Sequence, residues 1–192
     1  MRPNFEANFA VFVTLFVVRP SSISELLVTF CCASLGGILP DVDLKDSVPD
    51  KIFDRLMVSL ITIVCLFFIL RYGFDIDLFN ILLSYNRFFG HFMSSVIFIF
   101  MGYLGSKTAH RSFTHSFLGL FIYSLILSYG FDSRVVGSFS LGYISHLVLD
   151  FFNLKGISLF YPVKAKVCAG LCESSGIVNR FLVILFSFYL FS

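Results

Sequence analysis

The sequence is short of charge. It has 14 Lys and Arg and 12 Asp and Glu in 192 residues, a charged share of 14% where an ordinary soluble domain carries about 25%. It has no Trp, only 5 Pro and 5 Cys. With 57% hydrophobic residues and a mean hydropathy of +0.89, this shortage excludes a water-soluble globule. It also excludes disorder, which needs low hydrophobicity and high charge. A sparse, odd number of Cys excludes a secreted disulfide scaffold. A net charge of +2 supplies no field for nucleic acid, and none is expected as a partner. What remains is a polytopic membrane protein whose partner is the lipid bilayer.

What the chain does have is Phe, 27 of them, read as lipid-facing and helix-packing bulk because Phe lacks a polar handle. Seven apolar segments stand out: Phe9–Val18, Ile23–Pro40, Leu56–Leu70, Phe92–Leu104, Phe117–Tyr129, Val135–Leu149 and Ile177–Phe191. A spanning helix needs about 20 apolar residues, so the shorter ones leave a count of about five to seven hydrophobic helices. The expected fold is an all-α, polytopic membrane helical bundle, a single domain over residues 1–192, with no repeat and no long polar linker. Ala33, Ser34, Gly36 and Gly37 mark the second segment for close helix contact. The first segment has the look of a signal peptide, but Arg19-Pro20-Ser21-Ser22 is not a small-x-small cleavage site, and retention as a helix is expected.

Threading these segments alternately through a bilayer sorts the cations. Arg2, Lys45, Lys51, Arg55, Lys107, Arg111, Lys155, Lys164, Lys166 and Arg180 fall on one side; Arg19, Arg71, Arg87 and Arg134 fall on the other. The positive-inside rule makes the first side cytoplasmic and predicts a multi-pass cell (inner) membrane protein. Cys31, Cys32 and Cys65 read as small core residues. Cys168 and Cys172 share the last loop on that side, where a zinc pair is conceivable but lacks the usual spacing and a second pair.

Ionisable groups are kept out of membrane spans unless they work, and three clusters break that expectation. Leu39-Pro40-Asp41-Val42-Asp43 ends the second segment. Pro40 breaks the helix, and in an extended chain Asp41 and Asp43 would point the same way, two carboxylates for one cation. The plain alternative is a solvated loop end. In His110-Arg111-Ser112-Phe113-Thr114-His115-Ser116, two of only 4 His stand at a helix entrance. The positive end of the helix dipole favours neutral, ligand-competent imidazole there, Thr114 or Ser112 can cap the helix, and Arg111 suits an anion. The plain alternative is a polar turn. His146 and Asp150, four apart, share one helix face, either as two ligands or as a ligand and its orienting carboxylate. The alternative is a hydrogen bond that allows a buried His. All three clusters fall on the same side of the threading, whereas His91 falls on the other and receives no role. Mixed His and Asp ligands suit zinc, manganese or iron.

At these residues the sequence resembles the bacterial and archaeal family of inner-membrane metal-dependent hydrolases named after the LexA-regulated YdjM protein. The matching stretches are Gly36-Gly37-Ile38-Leu39-Pro40-Asp41-Val42-Asp43, His110 to Ser116, and Gly142-Tyr143-Ile144-Ser145-His146-Leu147-Val148-Leu149-Asp150, completed by Gly156 and Tyr161-Pro162. That family is distantly similar to the all-helical zinc phospholipase C and P1 nuclease group. The resemblance implies a divalent metal, zinc first, with Asp41, Asp43, His110, His115, His146 and Asp150 as ligands. It departs at the N-terminus: many members carry a His there, and this chain reads Arg2-Pro3-Asn4-Phe5-Glu6-Ala7-Asn8.

Two functions are in view. The leading one is a membrane-bound metal-dependent hydrolase of a small-molecule or lipid-like phosphoester. Asp41 or Asp150 would take a proton and Arg111 would meet phosphoryl charge at the cytoplasmic interface. The other is non-enzymatic, a structural metal site or a divalent-cation carrier, for which charges near mid-span would be expected.

Overall fold

The computed structural model describes residues 3–74, 86–163 and 165–169. The segment Ile177–Phe191, Cys172 and Arg180 lie outside the described residues. Those residues form six α-helices and no strand: α1 Pro3–Val18, α2 Ile23–Ile38, α3 Val48–Phe74, α4 Asn86–Ser106, α5 Phe117–Gly130 and α6 Ser133–Phe151. Short 3-10 turns occupy Leu39–Asp43 and Phe113–His115. The expected all-α bundle is what folds. Two stretches, Ile23–Asp43 and Phe89–Ser106, are long and apolar enough to cross a membrane, and Ala7–Val18 and Phe117–Gly130 are shorter apolar helices.

Local chemistry sets the helix ends. Ser22 caps α2 by accepting from the Glu25 amide at 3.2 Å, while the Glu25 carboxylate reaches back to the Ser21 amide at 2.9 Å. Ser116 caps α5 through the Gly119 amide at 3.0 Å, rather than Thr114 or Ser112. Asp132 caps α6 through the Arg134 and Val135 amides. α3 begins well before its apolar run because Ser47 and Asp50 pair across its first turn, Ser47 Oγ accepting from the Asp50 amide at 3.2 Å.

α2 and α6 form the most intimate pair. A Cβ on Gly36 would collide with the carbonyl oxygen of Phe139, and one on Gly142 with the carbonyl oxygen of Ala33. Backbone therefore meets backbone, the contact expected of small residues between membrane helices. Of the four small residues in α2, Ala33, Gly36 and Gly37 are buried, while Ser34 turns its hydroxyl back to the Phe30 carbonyl at 2.7 Å. The two helices run parallel: Arg134 meets Glu25 at their starts, and His146 meets Gly37 near their ends. α1 lies along both. α4 and α5 run antiparallel, tied by Ser94 Oγ to the Ile126 carbonyl at 2.7 Å and Tyr123 OH to the Met101 carbonyl at 3.0 Å.

The result is a bundle with an apolar outside. Val58, Ile61, Leu66 and Ile69 of α3, Leu27 and Phe30 of α2 and Phe121 and Leu125 of α5 are all exposed, while Thr14, Thr29, Ser138, His115 and His146 are fully buried. Large continuous apolar surface marks a lipid or partner contact. One end of the bundle gathers the end of α2, the start of α3, the end of α4, the start of α5 and the end of α6. Lys107 crosses there to Asp54 at 2.9 Å and Asp50 at 3.6 Å. The three polar clusters of the sequence therefore do meet at one end, whereas His91 packs on Phe131 at the other.

After α6 the chain forms a strap over that end. Ile157 and Val167 pair as an isolated antiparallel bridge, with bonds of 3.1 and 2.9 Å. Ser158 donates its amide to the Arg111 carbonyl, and the Phe117 amide donates to Leu159.

Candidate metal centre

The centre is built where three chain segments end. Pro40 closes α2, and the next residues tighten into a 3-10 turn. This corrects the extended geometry expected for Asp41 and Asp43. At about three residues per turn, side chains two apart stand roughly 120° apart around the axis. The two carboxylates consequently do not point together. They approach opposite edges of one imidazole: Asp41 Oδ1 lies 3.8 Å from His115 Nε2, and Asp43 Oδ2 lies 3.3 Å from His115 Nδ1.

On the Nε2 side, Asp41, His115 and His146 each place a ligand atom within 4.8 Å of one another, and all three residues are buried. His146 Nε2 lies 3.8 Å from Asp41 Oδ1. Asp150 Oδ2 adds a fourth atom, 3.2 Å from His115 Nε2 and 3.9 Å from His146 Nε2. Ligand atoms of a tetrahedral zinc with bonds of about 2.0–2.2 Å stand roughly 3.3–3.6 Å apart, and the separations here, 3.2 to 3.9 Å, lie within a few tenths of an ångström of that range. The expected helical pairing of His146 and Asp150 is realised, but Asp150 does not orient His146. His146 Nδ1 donates instead to the Gly37 carbonyl at 2.8 Å. A carbonyl only accepts, so Nδ1 carries the proton and Nε2 presents its lone pair to Asp41 and Asp150.

On the Nδ1 side, Asp43 is a hub. Its Oδ1 accepts from His110 Nδ1 at 2.7 Å; its Oδ2 accepts from the Arg111 amide at 2.9 Å and Thr114 Oγ1 at 2.7 Å. Asp43, His110 and His115 also place their ligand atoms within 4.8 Å of one another. Their setting differs, for the His110 side chain is 41% exposed and that of Asp43 fully buried. With Asp43 as acceptor, His115 Nδ1 is the donor edge, and its fully buried Nε2 finds no hydrogen bond of good geometry. Burial pulls the His115 imidazole down, but Asp150, Asp41 and Asp43 outweigh it and hold it well above the usual histidine value.

Arg111 sits in the left-handed region, φ 63, and is nearly buried. Its Nη2 donates to Asp150 Oδ1 at 3.1 Å and its Nη1 to the Gly156 carbonyl at 3.3 Å. Two of the guanidinium nitrogens are thus held by a carboxylate and the strap, while its buried Nε has no hydrogen-bond partner. Sequence reasoning passed over two further contributors. One is the Gly37 carbonyl, for which no side chain gives a signal. The other is Tyr143, whose hydroxyl donates to the Thr114 carbonyl and braces the His115 turn; its place in the Gly142-Tyr143 stretch was the available signal. Exposed Cys168 is a free thiol.

The arrangement offers two imidazole nitrogens and two carboxylates converging in a buried space, a donor set of the kind that holds a divalent first-row cation.

Among proteins of known sequence, the chain is similar to one described as "Uncharacterized protein YvsG" of Bacillus subtilis (strain 168), with 34% identity over 82 residues, 42% of this chain and 51% of that protein. The match spans about half the length of that relative. No solved structure matches. The model of the YdjM inner membrane protein family matches residues 7–191, nearly the whole length, and the chain belongs to that family.

Proposed function

We propose that the protein is a multi-pass membrane hydrolase with a divalent-metal centre at the cytoplasmic end of its bundle, acting on a phosphoester carried by a lipid-like molecule. The observation that carries this reading is the convergence of Asp41, His115 and His146, from three separate elements, around one buried point. In this reading Asp41, His115, His146 and Asp150 hold the ion, zinc first and manganese or iron next. Asp43 holds His115 from behind and also holds His110. When bound, such an ion lowers the pKa of a water toward about 7, which makes a nucleophile at neutral pH. Asp41 or Asp150 takes the proton released. Arg111, fixed beside Asp150, adds positive charge where phosphoryl charge develops. The cytoplasmic assignment rests on the threading of the sequence, which puts ten of the 14 Lys and Arg on the side of the three polar clusters.

One observation favours a second reading, a structural metal that ties the helix ends together: both imidazoles of the centre are 0% exposed. A cation pathway has less support, since the helices carry their Asp, Glu, Lys and Arg near their ends. Elemental analysis of protein purified without chelator tests the centre: near one divalent ion per chain is expected, and none in the His115→Ala variant. Metal-free wild-type protein, with unchanged stability in His115→Ala, overturns it. Hydrolysis of a phosphoester panel by loaded protein separates the enzyme from the structural site.

A further inference from the structure

The strap that follows α6 has two faces of opposite character. Gly156, Ile157, Ser158 and Leu159 are buried, turned toward the bundle end. Leu154 is 53% exposed, Phe160 60% and Val163 59%, with Tyr161 partly exposed beside them. Such side chains on a soluble loop would be a liability, and here nothing in the chain covers them among the described residues.

The surroundings identify what does. The Phe160 ring packs on Phe117 at 5.9 Å between centroids, and Phe117 opens the apolar outer wall of α5 that continues through Leu118, Phe121 and Leu125. The exposed strap residues therefore extend, without a break, the surface that a membrane protein turns to lipid. The composition changes along the way. Tyr161 brings a ring with a polar tip, and Lys155 and Lys166 are exposed on the same segment. Apolar bulk, an amphipathic ring and cations together are the pattern of a segment lying in the headgroup boundary.

We propose that the outer face of the strap is a membrane-interface surface, with Phe160 and Val163 at the top of the acyl region and Lys155 and Lys166 among anionic headgroups. The occupant is the bilayer surface, not a protein. The inner face is tied to the centre through Arg111, which holds the Gly156 carbonyl on one side and Asp150 on the other. The headgroup layer thereby lies one residue away from Asp150. Resting on the hydrolase reading, this makes the substrate an amphiphile that reaches the centre along the membrane plane. The strap's own position is independent of that reading.

The absence of Trp makes the test clean, because one introduced indole is the only one in the protein. Phe160→Trp and Val163→Trp probe the strap, Phe121→Trp the deep lipid wall, and Ala109→Trp the exposed polar turn at the same end. Each full-length variant is reconstituted in phosphatidylcholine–phosphatidylglycerol vesicles carrying bromine near the top or near the middle of the acyl chains. The strap variants are expected to emit blue-shifted light and to be quenched several-fold more by shallow bromine than by deep bromine. Phe121→Trp should show the reverse order, and Ala109→Trp should answer only to aqueous iodide. Iodide quenching of both strap variants, without bromine quenching, overturns the proposal. Protection from both quenchers also overturns it, since a second copy or a protein partner then covers the face; loss of that protection on dilution into excess lipid marks the copy. The reading of the centre is tested separately by metal content, so a failed strap leaves it standing.

Discussion

His146 donates from Nδ1 to the Gly37 carbonyl at 2.8 Å, across 109 residues of sequence. This one bond decides which edge of the ring faces Asp41, and it locks the end of α6 to the end of α2. Replacing the ring removes a buried donor and leaves a hole between two closely packed helices. His146→Ala is expected to lower stability by about 2–4 kcal/mol and to abolish metal retention. Thermal melting in detergent with and without zinc checks both: wild type gains stability from the metal, and the variant gains none.

In the proposed reading, Asp43 would separate holding an ion from holding its ligand. Asp43→Asn keeps the shape but weakens the bonds to His110, the Arg111 amide and Thr114. Loss of such an orienting carboxylate typically costs 10–100-fold in metal affinity. Competition titration with a zinc indicator should show that drop, against loss beyond detection for Asp41→Asn. Equal losses in the two variants would make Asp43 a direct ligand.

The α2–α6 contact predicts a purely steric effect. Gly36→Ala drives a methyl into the Phe139 carbonyl, and Gly142→Ala one into the Ala33 carbonyl. Backbone cannot yield as a flexible side chain can, so each is expected to cost about 1–3 kcal/mol. Gly137→Ala, where a Cβ would meet nothing within 4 Å, is the control and should cost nothing or stabilise.

In the proposed reading, proton and metal would compete at His115. Its carboxylate neighbours raise its folded pKa well above the ordinary 6.5, so its proton contributes stability that is fully present below about pH 6.5 and lost as pH rises through the raised value. Metal needs the neutral ring, and its binding strengthens in the same direction. Chelator-stripped protein should therefore melt lower as pH is raised above 6.5, while zinc-loaded protein should lose this slope. Parallel slopes in a melting series would show that the two do not share the ring.

Much of the bundle was legible because hydropathy and cations alone fix which ends come together. Ala33 and Gly36 also announced a close helix contact, since small residues in apolar helices have few other uses, though not that Gly142 is the partner. Three things stayed hidden. Helix starts were misplaced wherever the first turn is polar: α3 begins at Val48 instead of Leu56, because Ser47 and Asp50 form a helix end that hydropathy does not weigh. The roles of Asp41 and Asp43 depended on whether the backbone after Pro40 extends or coils. Proline forbids the α-helix behind it but leaves the 3-10 turn open, and that choice put the two carboxylates on different edges of His115. The fate of Arg111 was equally out of reach, since its partners Asp150 and Gly156 are 39 and 45 residues away.

The parallel alignment of α2 and α6 has a consequence for biosynthesis. Antiparallel neighbours can pair as each hairpin emerges, but two parallel helices can meet only after everything between them has been placed. Asp41 and His115 lie earlier in the chain, and His146 comes with the last described helix. In the multi-pass reading the centre would be complete only when every intervening segment has taken its correct orientation. Retention of a bound ion would then serve as a chemical certificate of insertion, readable on the intact chain without any knowledge of what the protein turns over.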